Sequence, residues 1–88
     1  MIEIQIEVKN EHGVHARPAT KLAQLAGRYS SSLTVSNKGM EADCKSVISV
    51  MMLAAVKGTL LTLRADGPDE QAAVDEVIQL FENRFGEG

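Results

Sequence analysis

The spacing of apolar residues changes from every second position to every third or fourth and back again, and this limits the folds open to the chain. Residues 2–8 alternate strictly as Ile-Glu-Ile-Gln-Ile-Glu-Val, which predicts a half-buried strand. From Ala16 the spacing lengthens, with apolar residues at Ala19, Leu22, Ala23, Ala26 and Tyr29. That spacing predicts a helix with Pro18 in its first turn and Gly27 near its end.

A hairpin is predicted next. Leu33 and Val35 alternate with serine and threonine in a second strand. The tripeptide Asn37-Lys38-Gly39 has the composition of a tight hairpin turn. A short third strand around Met40–Asp43 would complete the hairpin.

The second half of the chain repeats the change of spacing. Ser46 is a good N-cap for a helix over the apolar stretch 47–53, and Gly58 is expected to close that helix. Alternation returns in a fourth strand at Leu61, Leu63 and Ala65. Asp69 is then placed to cap a last helix. The buried stripe of this helix would be Ala73, Val74, Val77, Ile78, Phe81 and Phe85.

The predicted order β-α-β-β-α-β-α defines the fold class. Four mainly antiparallel strands with three helices on one face form an α+β, open-faced two-layer β-sandwich. At 88 residues the chain has room for one core, so we expect a single domain over residues 1–88.

Composition argues against several kinds of partner. The net charge is −3 and aromatic residues are only 3% of the chain, which is unfavourable for nucleic-acid binding. No apolar run reaches the ~18 residues that span a bilayer, so we expect no membrane insertion. Cys44 is the only cysteine, which rules out an internal disulfide and favours a reducing compartment. The sequence therefore predicts a cytoplasmic protein, and we expect a monomer.

The residues around His15, where the first helix begins, are not needed by the predicted core. The start of a helix has unpaired backbone N–H groups and a partial positive charge, and together they bind phosphate. His15 there is expected to stay neutral, which is its nucleophilic form. The guanidinium of Arg17 can grip phosphoryl oxygens with two hydrogen bonds, and Pro18 stiffens the turn. The residues alone thus predict an anion or phosphoryl site.

Simpler interpretations of the same residues stay open. A histidine just before a helix is often a capping or surface residue, and Arg17 can be a solvated surface charge. His12 lies three residues before His15, so a two-histidine metal site or a second phosphoryl acceptor is conceivable. Gly13 gives the loop no fixed ligand geometry, and Cys44 would have to come from elsewhere. We therefore expect neither a metal nor a cofactor.

A family resemblance extends this interpretation. The stretch Gly13-Val14-His15-Ala16-Arg17-Pro18-Ala19-Thr20 resembles the active-site signature of the histidine-containing phosphocarrier (HPr) family of the phosphoenolpyruvate-dependent phosphotransferase system. Two further stretches, Lys45-Ser46-Val47-Ile48 and 51–55, resemble the second signature of that family. The family has the same β-α-β-β-α-β-α sandwich.

The resemblance implies a role for each residue of the first signature. His15 is the residue phosphorylated, through Nδ1, and Arg17 orients the phosphoryl group, with Ala16 and Pro18 in support. Enzyme I is the implied donor and an enzyme IIA domain the implied acceptor. The protein is then a stoichiometric carrier in sugar uptake, and not an enzyme.

The second signature implies regulation and docking. Ser46 matches the serine that HPr kinase/phosphorylase modifies in some bacteria. The helix after it is apolar nearly all round, more than one buried face requires, and exposed apolar residues near a reactive group indicate a protein-binding surface. The expected partner contacts are Thr20, Gln24, Val47, Ile48 and Met51.

Two alternatives remain at this stage. Within the family, the sequence 46–48, the Met-Met-Leu run, Gly67-Pro68 and the Phe81…Phe85 ending are similar to the nitrogen-branch phosphocarrier NPr, which serves regulation instead of transport. Outside the family, a non-carrier α+β binding or scaffold domain would leave His15 incidental. The identity of the protein that accepts the phosphoryl group from His15 would distinguish the two branches.

Overall fold

The computed structural model describes residues 1–86, and its elements follow the predicted order with a short 3₁₀ turn added at the end. The strands are β1 Ile2–Glu7, β2 Ser32–Asn37, β3 Met40–Asp43 and β4 Leu60–Asp66. The helices are α1 Ala16–Ala26, α2 Val47–Met52 and α3 Glu70–Glu82, and the 3₁₀ turn is Arg84–Gly86. No helix within residues 1–86 is long and apolar enough to cross a membrane.

The strands form an antiparallel sheet in the order β1-β4-β2-β3, so the last strand in sequence lies inside it. Ile4 pairs with Leu63, Leu63 with Val35, and Val35 with Ala42. This row lies on the face that the helices cover. The opposite face carries mainly polar side chains, such as Arg64, which bonds to Glu3 at 2.9 Å. The predicted open-faced α+β sandwich is thereby confirmed.

The hydrophobic core lies between the helices and the covered face of the sheet. Its largest fully buried apolar side chains are Phe81, Phe85, Leu22, Leu33, Leu61 and Leu63. The hairpin turn between β2 and β3 also follows the prediction, because both central residues adopt the left-handed conformation, with φ of 52° at Lys38 and 84° at Gly39.

The predicted end of α2 at Gly58 is wrong. The helix stops at Met52, and Ala54 adopts a left-handed conformation with φ of 51°. The carbonyl of Ala55 then accepts a hydrogen bond from the amide of Val14 at 2.9 Å. The backbone thus turns out of the helix at Ala54, the segment that follows bonds to Val14, and Gly58 lies in the turn before β4.

Three predictions near the other helix ends also need correction. The Asp69 side chain does not cap α3; its carboxylate accepts hydrogen bonds from the amides of Ser30 and Ser31 and from the Ser31 hydroxyl. Tyr29 lies beyond the end of α1, where its hydroxyl donates to a carboxylate oxygen of Glu76. Phe85 is buried as expected, but from the 3₁₀ turn and with φ of 54°.

Candidate functional site

His15 is the residue immediately before α1. Its backbone is extended, with φ of −94° and ψ of −163°, and its carbonyl accepts the hydrogen bond that Ala19 donates at 3.0 Å. The amides of Ala16 and Arg17 therefore precede the first hydrogen bond of the helix. The side chain of His15 is half-buried and does not cap the helix. The capping alternative is thus wrong, and the ring lies at a helix start that favours anions.

The loop that presents His15 is fixed by Asn10 and Gly13. Asn10 is wholly buried, and its Nδ2 donates to the Gly13 carbonyl at 2.5 Å, while the Gly13 amide donates back to the Asn10 carbonyl at 3.2 Å. Gly13 has φ of +69°, and a Cβ there would lie 2.9 Å from the Val56 Cα and still closer to the Ala55 carbonyl oxygen. Only glycine fits both the conformation and the space.

Arg17 is the second residue of α1 and its side chain is exposed. Within residues 1–86, no hydrogen bond or ion pair of the Arg17 side chain is seen. Pro18, by contrast, is buried and lies in the first helical turn, as predicted. The buried proline therefore anchors the helix start, and the exposed guanidinium of Arg17 lies next to it in the sequence.

The ring of His12 lies next to that of His15. The two ring centroids are 6.1 Å apart, and the ring planes meet at 79°, so one ring presents its edge to the other. His12 itself is exposed. This contact depends on the shape of the loop and was not predicted; the only sequence signal for it is the three-residue spacing of the histidines.

Two structural findings concern the residues that could bind a metal. Within residues 1–86, no group of three or more histidine, cysteine, aspartate or glutamate side chains is arranged to hold a metal ion. Cys44 is wholly buried, and burial together with the charge of Asp43 raises the pKa of its thiol to about 12. The thiol thus belongs to the core and lies apart from the solvent-facing site.

An ion pair borders the two histidines. Glu11 bonds to the Lys57 ammonium at 3.0 Å, linking the loop before His15 to the turn before β4. The hydrogen bond from Lys57 is the main reason that the pKa of Glu11 is lowered, and the positive charge of Lys57 adds to it. The carboxylate beside His12 is therefore ionised near neutral pH, and its charge is balanced by Lys57.

Ser46 occupies the N-cap position of α2, as predicted. Its half-buried hydroxyl oxygen accepts a hydrogen bond from the Ser49 amide at 3.3 Å. The neighbouring Lys45 reaches across to the carbonyl of Tyr29 at 3.2 Å. The serine is thus held at the start of a short helix that packs against α1.

The predicted docking residues differ in how far they reach solvent. Ile48 is 73% exposed and Met51 40% exposed, whereas Val47 is half-buried and packs against the core. On α1, Gln24 is exposed, and so is Thr20, whose hydroxyl donates to the Ala16 carbonyl at 2.8 Å.

Two further apolar side chains are exposed near the end of α2, and they were not predicted. Met52 is 64% exposed and Val56 is 66% exposed. Because the Ala55 segment packs against Gly13, Val56 lies beside the loop that carries the histidines. We call Ile48, Met51, Met52 and Val56 the α2 surface. The Met-Met pair was the available sequence signal, and both of its methionines are exposed.

Comparisons with known proteins agree with this geometry. A family model described as the phosphotransferase-system HPr component phosphorylation site matches residues 2–83. The phosphocarrier protein HPr of Cupriavidus necator is 48% identical over 88 residues, which cover 100% of this chain and 99% of that protein. The phosphocarrier protein NPr of Proteus mirabilis is 42% identical, covering 94% of this chain and 93% of its own.

A solved structure shares the fold throughout. The crystal structure of an HPr from Thermoanaerobacter tengcongensis superposes with a TM-score of 0.95 at 38% identity. The match covers 100% of this chain and 99% of that one. The likeness therefore includes every element that positions the two histidines and Ser46.

Proposed function

Because this chain belongs to the HPr family of phosphocarrier proteins, we propose that it accepts a phosphoryl group on His15 from enzyme I. It then passes the group to an enzyme IIA domain in sugar uptake. The observation that carries the proposal is the position of His15, which lies half-buried at the start of α1 with the exposed Arg17 two residues further on.

The transfer needs little chemistry from the protein beyond placing a nucleophile. The lone pair on Nδ1 of His15 attacks phosphorus, and the bond between phosphorus and the donor breaks with its electron pair remaining on the donor. The phosphoryl oxygens face the positive end of α1 and the guanidinium of Arg17, which can hold two of them. Handing the group on reverses these steps, with His15 as the leaving group.

The protein is a co-substrate in this scheme and catalyses no reaction. Each chain takes up one phosphoryl group and must lose it before it can accept another. The energy of the phosphorus–nitrogen bond is kept, because His15 exchanges the group between proteins and not with water. The half-buried ring fits this role, since a partner can cover the part that is exposed.

The test is direct phosphorylation. Incubation with phosphoenolpyruvate, magnesium and enzyme I should add one acid-labile phosphate per chain, whereas the variant His15→Ala should take up none. The variant His12→Gln separates the two histidines, because it keeps the acceptor and should still take up one phosphate per chain. No uptake by the native chain, or full uptake by His15→Ala, would overturn the proposal.

We propose that partners dock on the α2 surface together with Thr20 and Gln24 of α1. Exposed apolar side chains close to a reactive residue are the usual mark of a protein-binding surface. Methionine suits a carrier with several partners, because its flexible side chain repacks easily. Val47 contributes mainly by packing beneath this surface, as its half-buried position indicates.

Ser46 is our proposed regulatory phosphorylation site, modified by an HPr kinase/phosphorylase. A phosphate there would lie at the start of α2 and add nearly two negative charges beside Ile48. We expect it to weaken docking of enzyme I. Titration of enzyme I with the native chain and with Ser46→Asp measures this, and equal affinities would refute it.

The nitrogen branch is a second candidate, because an NPr is 42% identical to this chain, close to the 48% of the HPr from Cupriavidus necator. Offering the phosphorylated chain a sugar-branch and a nitrogen-branch enzyme IIA domain separately would decide between them. Sugar uptake predicts faster transfer to the sugar-branch domain, and the reverse order would assign the nitrogen branch.

We also propose that the whole chain acts as one monomeric domain in the cytoplasm. A single surface for both donor and acceptor fits a monomer, because a dimer that used it would block both. Light scattering at micromolar concentration should give the mass of one chain, and the mass of two chains would contradict this.

A further inference from the structure

We infer that His12 is a positioning residue for phosphoryl transfer, whose imidazolium form stabilises the phosphorylated state of His15. This inference rests on the proposed role of His15. In this inference, the charge of His12 influences the equilibrium of phosphoryl transfer between enzyme I and His15. That equilibrium should therefore depend on pH.

The first support is distance and orientation. The ring centroids of His12 and His15 are 6.1 Å apart with planes at 79°. With the ring centres this close, a phosphoryl group on His15 would lie within one Debye length (about 8 Å) of the His12 ring, a range over which opposite charges attract. His12 belongs to the loop before His15 and Arg17 to the first turn of α1, so the two residues flank the acceptor in the sequence.

The second support is that the loop cannot easily move away. Asn10 is buried and bonds to the Gly13 carbonyl, and Gly13 is wedged against the backbone of Ala55 and Val56. His12 lies between these two anchors. Its ring is nonetheless exposed to water in the free protein.

Several charged side chains surround His12, and their charges are fixed or balanced near neutral pH. Glu11, its neighbour, is paired with Lys57 at 3.0 Å, so those two charges balance. Arg84 lies close enough to Glu11 to contribute to lowering the pKa of that carboxyl, and it stays positive at all relevant pH values. Arg17 is likewise always charged. Histidine is the side-chain type whose charge ordinarily changes between about pH 5 and 8, whereas glutamate, lysine and arginine ordinarily keep theirs in this range.

The expected size of the effect follows from Coulomb's law. A phosphoryl group carries up to two negative charges near neutral pH. One positive charge at about 6 Å in water should favour the phosphorylated state about three- to tenfold, after screening by physiological salt. By linkage, phosphorylation should strengthen proton binding to His12 by the same factor. The extra stabilisation is therefore present at low pH and is lost as the pH rises and His12 deprotonates.

The test measures both effects, which are proton binding to His12 and the equilibrium of phosphoryl transfer. NMR titration of the native chain reads the titration midpoint of His12 before and after phosphorylation, and we expect the midpoint to rise by about 0.5 to 1 pH unit. The equilibrium between phosphorylated enzyme I and the chain is then measured at several pH values for the native chain and for two variants. His12→Gln should lose the three- to tenfold gain at low pH, and His12→Lys should keep the gain at every pH.

Arg28→Gln is the matched control. It also removes a positive charge, but Arg28 lies beyond the far end of α1, about 16 Å from the helix start, and is paired with Glu76. Its pH profile should match that of the native chain. An unchanged His12 midpoint on phosphorylation, or identical profiles for the native chain and His12→Gln, would overturn the inference while leaving the carrier function intact. Failure of the native chain to accept phosphate would instead refute the proposed function.

Discussion

The amide of Val14 donates a hydrogen bond to the carbonyl of Ala55 at 2.9 Å, and this bond joins the loop before His15 to the segment after α2. The two segments are far apart in sequence but close in the fold. The bond brings Gly13 against the backbone of Ala55 and Val56, where no side chain fits. The position of the proposed phosphoryl acceptor therefore depends on a segment that carries none of the chemistry.

Substitution of Gly13 by alanine should destabilise the fold more than the same change at Gly39. Both glycines have a left-handed backbone, with φ of +69° and +84°, but only Gly13 has atoms where a Cβ would lie. We expect a loss in the free energy of unfolding of about 2–4 kcal/mol for Gly13→Ala. Gly39→Ala should lose about 1–2 kcal/mol, from backbone conformation alone. Urea unfolding measures both, and equal losses would contradict the packing argument.

Replacement of Arg17 by alanine should slow phosphoryl transfer and leave the fold unchanged. The side chain is exposed, so the free energy of unfolding should change by no more than about 0.5 kcal/mol. Loss of a charged donor to the phosphoryl oxygens should lower the rate of transfer from enzyme I by about ten- to a hundredfold. Rapid-quench kinetics reads this rate.

The control for this change is Arg28→Ala, which removes an arginine already paired with Glu76 at 2.9 Å. It should transfer phosphate at the native rate. If both variants slow to the same extent, the effect reflects net charge and not a specific role of Arg17.

Truncation of Ile48 should weaken docking, and truncation of Leu60 should not. The two residues are comparably exposed, at 73% and 58%, but Leu60 lies on the open face of the sheet and Ile48 on the α2 surface. A residue near the centre of a docking surface contributes about 1 kcal/mol or more, so the affinity for enzyme I should fall at least about fivefold in Ile48→Ala. Calorimetric titration measures it. Equal affinities of the two variants for enzyme I would show that the α2 surface is not part of the docking site.

The local spacing of apolar residues was enough to predict the element order and the fold class. Each strand and helix buries one face, and this leaves a period in the sequence. The errors lie where contacts between distant segments decide the outcome. The segment after α2 bonds to the distant Val14 instead of extending the helix, and Asp69 binds the loop at Ser30 and Ser31 instead of capping its own helix.

Some features of the candidate site could likewise be predicted from local sequence, and others could not. His15, Arg17 and the capping role of Ser46 follow from local sequence, because each belongs to the start of a helix. The contact between His12 and His15 could not be predicted, because it depends on how Gly13 packs against Ala55. The exposure of Met52 and Val56 depends on which side of the α2 segment meets the core, and that side is set by tertiary packing.

The network around Asp69 should make stability fall in acid. The hydroxyl of Ser31 and then the amide of Ser30 lower the pKa of Asp69 in the folded chain. A lowered pKa gives stability that is present above the unfolded value of about 3.9 and is lost as the pH falls through the folded value. Asp69→Asn should therefore be less stable than the native chain at pH 7, and the difference should shrink in strong acid.

Urea unfolding at pH 7 and in acid checks this. Asp75→Asn serves as the control, because Asp75 is an exposed aspartate of α3 that accepts a hydrogen bond from Gln71. A difference between the native chain and Asp69→Asn that stays constant with pH would show that the carboxylate charge is not what stabilises the loop.

The most direct test of the account is to identify the atom that carries phosphorus. The chain is labelled with ¹⁵N at histidine, phosphorylated through enzyme I, and examined for coupling between ³¹P and ring nitrogens. We predict coupling to Nδ1 of His15 and none to His12. Phosphorus found on His12, or on a hydroxyl as an acid-stable ester, would contradict the central claim.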